Sequence, residues 1–132
     1  MAHTKSISLT FRGFELPPEE VEKLVGVKAT RVLHKGAPVK PGVKTLAVRH
    51  AAKFELVFPA ETELFKMVPA IMAHLGGVEH LVGVREKVAP EFVEVDVVLL
   101  VRNSEEQEGG FIETESLAAL SRLGATLSLS FP

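Results

Sequence analysis

Residues 6–12 alternate without a break. Ile7, Leu9 and Phe11 fall on one side, and Ser6, Ser8, Thr10 and Arg12 on the other. A period of two is the mark of a β-strand with one buried and one wet face. This pattern constrains the fold more than any other feature. A sheet built on such a strand is covered on one side only, which favours antiparallel pairing with helices packed on a single face. The chain has 132 residues, enough for one core and one domain, and no linker or low-complexity tract divides it.

Gly13 and the Leu16-Pro17-Pro18 step end this strand. Proline suits the first turn of a helix, because its missing N–H has no partner there anyway. Glu19 and Glu20 complement the helix dipole, Val21, Leu24 and Val25 form an apolar stripe, and Gly26 supplies a left-handed cap. Further strands are predicted over residues 30–35, 43–49 and 53–58, with a Pro- and Gly-rich loop over 36–42. Leu64, Phe65, Val68, Ile71, Met72 and Leu75 recur at helical spacing and predict a helix over 62–75, kinked or split at Phe65 by Pro69 and ended by Gly76-Gly77. The valine-rich stretches 78–88 and 92–102 read as two strands joined at Ala89-Pro90. In that hairpin Val84 meets Val95, Val82 meets Val97 and Arg85 meets Glu94, because a one-residue slip sets valine against carboxylate. Residues 103–110 form an acidic loop, Thr114 caps a helix over 115–123, Gly124 closes it, and 125–131 is the last strand.

The expected fold is therefore a single α+β domain over 1–132, a largely antiparallel sheet with three helices on one face. Residues 53–131 alone follow a ferredoxin-like order of strand-helix-strand-strand-helix-strand. The expected core joins Phe54, Leu56, Phe65, Ile71, Val82, Val95, Val97, Leu117, Leu120 and Leu123.

Composition narrows the function. With no Cys there is no disulfide, thiolate metal site or cysteine nucleophile, which suits a reducing cytoplasm. Asp96 is the single Asp, so calcium loops and Asp dyads are out of reach. Residues 1–13 lack the apolar stretch and small-residue cleavage site of a secretion signal, and no run approaches the roughly 20 apolar residues of a membrane span. The expectation is a soluble, intracellular chain.

Phe11 to Gly36, reading F-R-G-F-E-L-P-P-E-E-V-E-K-L-V-G-V-K-A-T-R-V-L-H-K-G, and Ile112 to Phe131, reading I-E-T-E-S-L-A-A-L-S-R-L-G-A-T-L-S-L-S-F, resemble the opening and closing of the bacterial "domain of unknown function 4279" family. That family has a Pro-started short helix, a Leu-Gly step, a Lys-Gly pair and a closing helix with a Leu-Gly cap. Ala29 stands where the family often has Pro, Phe54 where Trp is usual, and the last strand lacks the usual Tyr. The resemblance implies an α+β domain with no established activity, and it carries no catalytic residues to transfer.

Candidate chemistry is sparse. His3, His34, His50, His74 and His80 show no H-x-H or H-E-x-x-H spacing. His74 and His80 flank Gly76-Gly77, and Glu79 adjoins them, but helix-end and strand roles explain them better than a metal does. Glu94 and Asp96 share one strand face and could do acid–base work; pairing with Arg85 and Lys87 is the simpler expectation. There is no G-x-S-x-G elbow and no nucleotide-binding glycine motif, and the Gly109-Gly110 pair is a weak anion signal.

Charge segregation is the most informative polar feature. Residues 23–53 hold eight Lys or Arg and no acid, while 91–115 hold eight acids and one base. The two segments either neutralise each other within the fold or make two poles. No aromatic lies between Phe14 and Phe54 to stack a base, so nucleic acid is disfavoured. The leading expectation is a non-enzymatic domain that binds a protein with an acidic surface, for example a toxin-neutralising (immunity) protein by fold-level analogy. It needs no cofactor, metal or membrane, and it docks through Arg31, Lys35, Lys44 and Arg49. The alternatives are a small-molecule binder or small enzyme with a helix–sheet pocket, and a nucleic-acid module using 28–53.

Overall fold

The computed structural model describes residues 4–99 and 110–131. Among these residues the order is β1 (Thr4–Arg12), α1 (Pro18–Val25), β2 (Arg31–Leu33), β3 (Ala51–Pro59), α2 (Leu64–His74), α3 (Val78–Val88), β4 (Phe92–Val98), α4 (Thr114–Leu123) and β5 (Ala125–Ser130). The strands form one sheet in the order β2-β3-β1-β4-β5. β1 pairs antiparallel with both β3 and β4, β2 pairs antiparallel with β3, and only β4–β5 is parallel. The chain is an α+β domain with a largely antiparallel sheet, and four helices stand where three were expected.

β1 is the centre of the sheet, and its alternation sets the two faces. Ile7, Leu9 and Phe11 are fully buried. Across the ladder they meet Leu56, Phe54 and Ala52 on β3, and Val97, Val95 and Val93 on β4. All four helices contribute to the same core, through Val21 and Val25, through Met67, Val68 and Ile71, through Leu81, Val84 and Val88, and through Leu120 and Leu123. Among the described residues no helix covers the opposite face. Lys5 also lies on the core side of β1; it is buried, and its Nζ donates to the Thr62 carbonyl at 2.7 Å.

The hairpin over 78–102 does not form. Residues 78–88 are α3, and β4 pairs with β1 and β5 instead. Valine's β-propensity suggested a strand, but tertiary packing overrides propensity. Leu81, Val84 and Val88 are the buried residues, and steps of three and four are helical spacing. Glu79 in the first turn and Arg85 and Lys87 in the last also complement the helix dipole. Residues 53–131 thus run strand-helix-helix-strand-helix-strand. The expected pairings of Val84 with Val95, Val82 with Val97 and Arg85 with Glu94 are replaced by Leu9–Val95, Ile7–Val97 and Thr10–Glu94.

Residues 43–49 are not a strand either. The isolated Pro38–Leu46 bridge, with backbone bonds from Val39 N–H to the Thr45 carbonyl, from Ala47 N–H to the Ala37 carbonyl and from Gly36 N–H to the Ala47 carbonyl, holds a loop between β2 and β3. Val43, Leu46 and Val48 are exposed there, because β2 offers only three residues of edge. α2 is not split by Pro69, which lies inside one continuous helix. α4 begins at Thr114, so Glu113 and not Thr114 takes the cap position. The acidic loop 103–110 lies outside the described residues up to Gly110, as do Arg102, Gly109 and His3.

Two glycines are fixed by close approach. Gly13 has φ +80°, its N–H bonds the His50 carbonyl, its carbonyl accepts from the Glu91 N–H, and an added Cβ would stand 2.9 Å from Glu91. Gly76 has φ +98°, and an added Cβ would stand 2.6 Å from the His80 ring.

Of the expected core, Phe54, Ile71, Val95, Val97, Leu120 and Leu123 are buried, and Leu56 and Val82 pack against the core from its edge. Phe65 is half-buried and stacks on Phe111 with ring centroids 5.0 Å apart. Leu117 is 50% exposed, because α4 turns Leu120 and Leu123 inward instead. Leu120→Ala should therefore cost about 2–5 kcal/mol, whereas Leu117→Ala should stay within about 0.5 kcal/mol. Urea unfolding of the two variants checks the orientation of α4; equal losses would reverse it.

Candidate functional site

The sheet face away from the helices carries a row of charged and polar side chains. Its side chains follow from register. One row across the strands reads Arg31, Lys53, Thr10, Glu94 and Thr126, and the next reads Glu55, Ser8, Asp96 and Ser128. On the other flank lie Leu33, Ala51, Arg12 and Phe92. The β2–β3–β1 half is thus basic, and the β4–β5 half acidic. Ser8 and Thr10 are nearly buried on this face, at 4% and 5% exposure, because longer neighbours lean over the short side chains of the central strand.

The charges meet along the β1–β4 seam. Arg12 Nε donates to Glu94 Oε1 at 2.7 Å, with both side chains about a third to two-fifths exposed. Lys53 Nζ lies 3.4 Å from Glu55. Ser128 Oγ donates to Asp96 Oδ1. Glu94 and Asp96 do share one face, as their spacing required, but Arg85 and Lys87 belong to α3 on the far side of the sheet and pair with neither. Each partly exposed ion pair contributes at most about 1 kcal/mol.

A small concavity opens between Arg12, Arg31, Lys53, Leu33, Thr10 and Ala51, with a volume of about 110 Å³. Of the docking residues expected from sequence, Arg31 alone lines it. Its guanidinium donates to the Val39 carbonyl, which ties it to the loop after β2. Lys35 and Lys44 are exposed on that loop. Arg49 is not available in the same sense: its Nε is 3.0 Å from Glu91, and its guanidinium lies over the Phe92 ring at 5.4 Å. Here the basic and acidic segments do neutralise each other. Arg12, Lys53 and Thr10 were not picked out from the sequence as site residues, although the alternation of β1 already placed Arg12 and Thr10 on the wet face.

The histidines serve the frame. His80 Nε2 stands 2.9 Å from the Val25 carbonyl and joins α3 to α1. His50 Nδ1 accepts from the Lys35 N–H at 2.9 Å, and its ring lies 5.7 Å from Phe14. His34 Nε2 contacts the Glu19 carboxylate at 2.8 Å. Among the described residues no three His, Asp or Glu side chains gather as metal ligands. The Glu79–Arg122 pair ties α3 to α4 on the outside and holds Glu79 below the usual carboxylate range. No single helix among the described residues is long and apolar enough to cross a membrane; α2 and α3 pass that test only together, and they are bent by 61°.

Over residues 2–131 the chain matches the family described as Domain of unknown function (DUF4279). The chain belongs to that family. No curated protein and no solved structure matches it.

Glu19 supplies a titration that reports on the loop's base. Its carboxyl is held below the ordinary value chiefly by its own backbone amide; desolvation opposes this, and the His34 hydrogen bond and the His34 and His50 charges add to the lowering. A depressed carboxylate adds stability at pH above its unfolded pKa and loses that stability as pH falls through the folded value. His34→Ala should raise the Glu19 pKa but leave it below the ordinary value, since the backbone bond remains. Carbon-detected NMR titration of Glu19 measures this; an unchanged value would remove His34 from the interaction.

Proposed function

We propose that this chain is a non-enzymatic cytoplasmic binding domain that docks an acidic protein on the basic half of its open sheet face. The observation that carries this reading is the division of that face. Arg31, Arg12 and Lys53 stand together on β2, β1 and β3, with Lys35 and Lys44 on the adjoining loop. Glu94 and Asp96 border them and oppose a polyanion lying across the whole face, which favours a protein over a nucleic acid. Arg49 serves as an internal tie to Glu91, and its part in docking is indirect.

Charge of this kind accelerates encounter and selects partners more than it sets affinity. With the partner isolated from native lysate, stopped-flow association should slow when Arg31 and Lys35 are both changed to Glu. It should also slow as salt rises, because exposed charges are screened beyond about 8–10 Å at ordinary ionic strength. Both positions are exposed, so the variant should keep its unfolding midpoint. A rate indifferent to salt and to charge reversal would reduce this face to a solvated surface.

A further inference from the structure

The concavity on the open face is a built feature of the register. Ala51 and Thr10 are short residues at diagonal positions on β3 and β1, and they form its floor. Leu33, Arg31, Lys53 and Arg12 rise around them. Ala51 and Thr10 are 7% and 5% exposed, so the floor is recessed between its walls. The concavity's volume of about 110 Å³ suits a small polar group.

We infer that this pit seats one carboxylate group, presented as an Asp or Glu side chain by the acidic partner; the inference rests on the docking reading above and specifies its anchor. Three cations wall the pit, and two carboxylates, Glu94 and Glu55, already pair with Arg12 and Lys53. The balance of these five groups is a single positive charge. That balance matches a monoanion and falls short of a dianionic phosphate. Arg31 is pre-positioned by its bond to the Val39 carbonyl. Among the described residues, Arg12 engages protein through Nε and Arg31 through one terminal nitrogen. A guanidinium carries five N–H donors, so both keep donors for a bidentate oxyanion contact. The Thr10 hydroxyl offers a further donor from the floor, and the Leu33 side chain faces the methylene that carries the carboxylate. Fixed donors around a shallow, partly dry floor are what make a charged contact hold a partner in register.

The test uses sodium acetate as probe, titrated against the full chain at constant ionic strength with chloride. Backbone amides of Thr10 and Ala51 and the Nε–H signals of Arg12 and Arg31 are followed by NMR. Saturable shifts at these four residues are expected, with a dissociation constant on the order of millimolar, the range open to so few atoms. Arg31→Gln should weaken the response about twofold to fivefold, the worth of one exposed charge contact. Lys87→Gln, on α3 on the far side of the sheet, should leave it unchanged. Shifts that never saturate, persist unaltered in Arg31→Gln, or saturate at lower phosphate than acetate would overturn the inference. Acetate should also slow association of the isolated acidic partner more than equal chloride does. If acetate seats in the pit but leaves that association untouched, the carboxylate is a free small molecule and the protein anchor is wrong. If association depends on Arg31 and Lys35 while acetate shows no saturable shift, the docking reading stands and the pit fails alone.

Discussion

Everything in this fold depends on β1 being paired on both edges while only one of its faces is apolar and covered by helices. Its two ladders join β3 and β4 into one sheet, and its alternation decides which side the helices must cover. Had the same strand been apolar on both faces, the sheet would need a second layer. Instead Ser8, Thr10 and Arg12 face outward at the centre of the sheet, and the outer surface inherits the charges of the flanking strands. The candidate site is thus a direct product of the same periodicity that makes the core.

That dependence explains what could be read in the sequence. The alternation of residues 6–12 has one physical solution, and the face assignment of Arg12, Thr10, Glu94 and Asp96 follows from it. The caps at Gly26 and Gly124 are equally legible, since both residues adopt left-handed conformations at φ 90° and 64°. What was not legible is whatever needs a partner's position. Residues 78–88 contain both a valine-rich run and a helical spacing of buried residues, and only the placement of β4 beside β1 decides between them. Residues 43–49 alternate like a strand but find no edge long enough to pair with. Leu117 and Leu120 are indistinguishable by type, and one turn of α4 separates the exposed one from the buried one.

The site was half legible for the same reason. A run of bases with no acid marks Arg31 in the sequence. It does not reveal that Arg49 turns back onto Glu91 and Phe92, or that Ala51 leaves a gap between Leu33 and Arg12. A cavity is a property of absent side chains, and short residues give no signal until their neighbours across the ladder are known. Charge counts along the chain likewise merge two different things, the ion pairs that hold loops to the sheet and the cations that remain at its surface.

The central position of β1 also shapes how the chain reaches this structure. Arg12 and Glu94 form their bond across 82 residues of sequence, and every β1–β4 contact spans a comparable loop. Closing loops of that length before any ladder bond is gained makes a topology slow to assemble. On the ribosome β1 is made long before β4, so one of its edges stays open through most of synthesis. Its polar outward residues then act as a safeguard: Ser6, Ser8, Thr10 and Arg12 keep the waiting strand from presenting an apolar ribbon on both sides. The polar face that stays outermost in the finished sheet first protects the nascent chain.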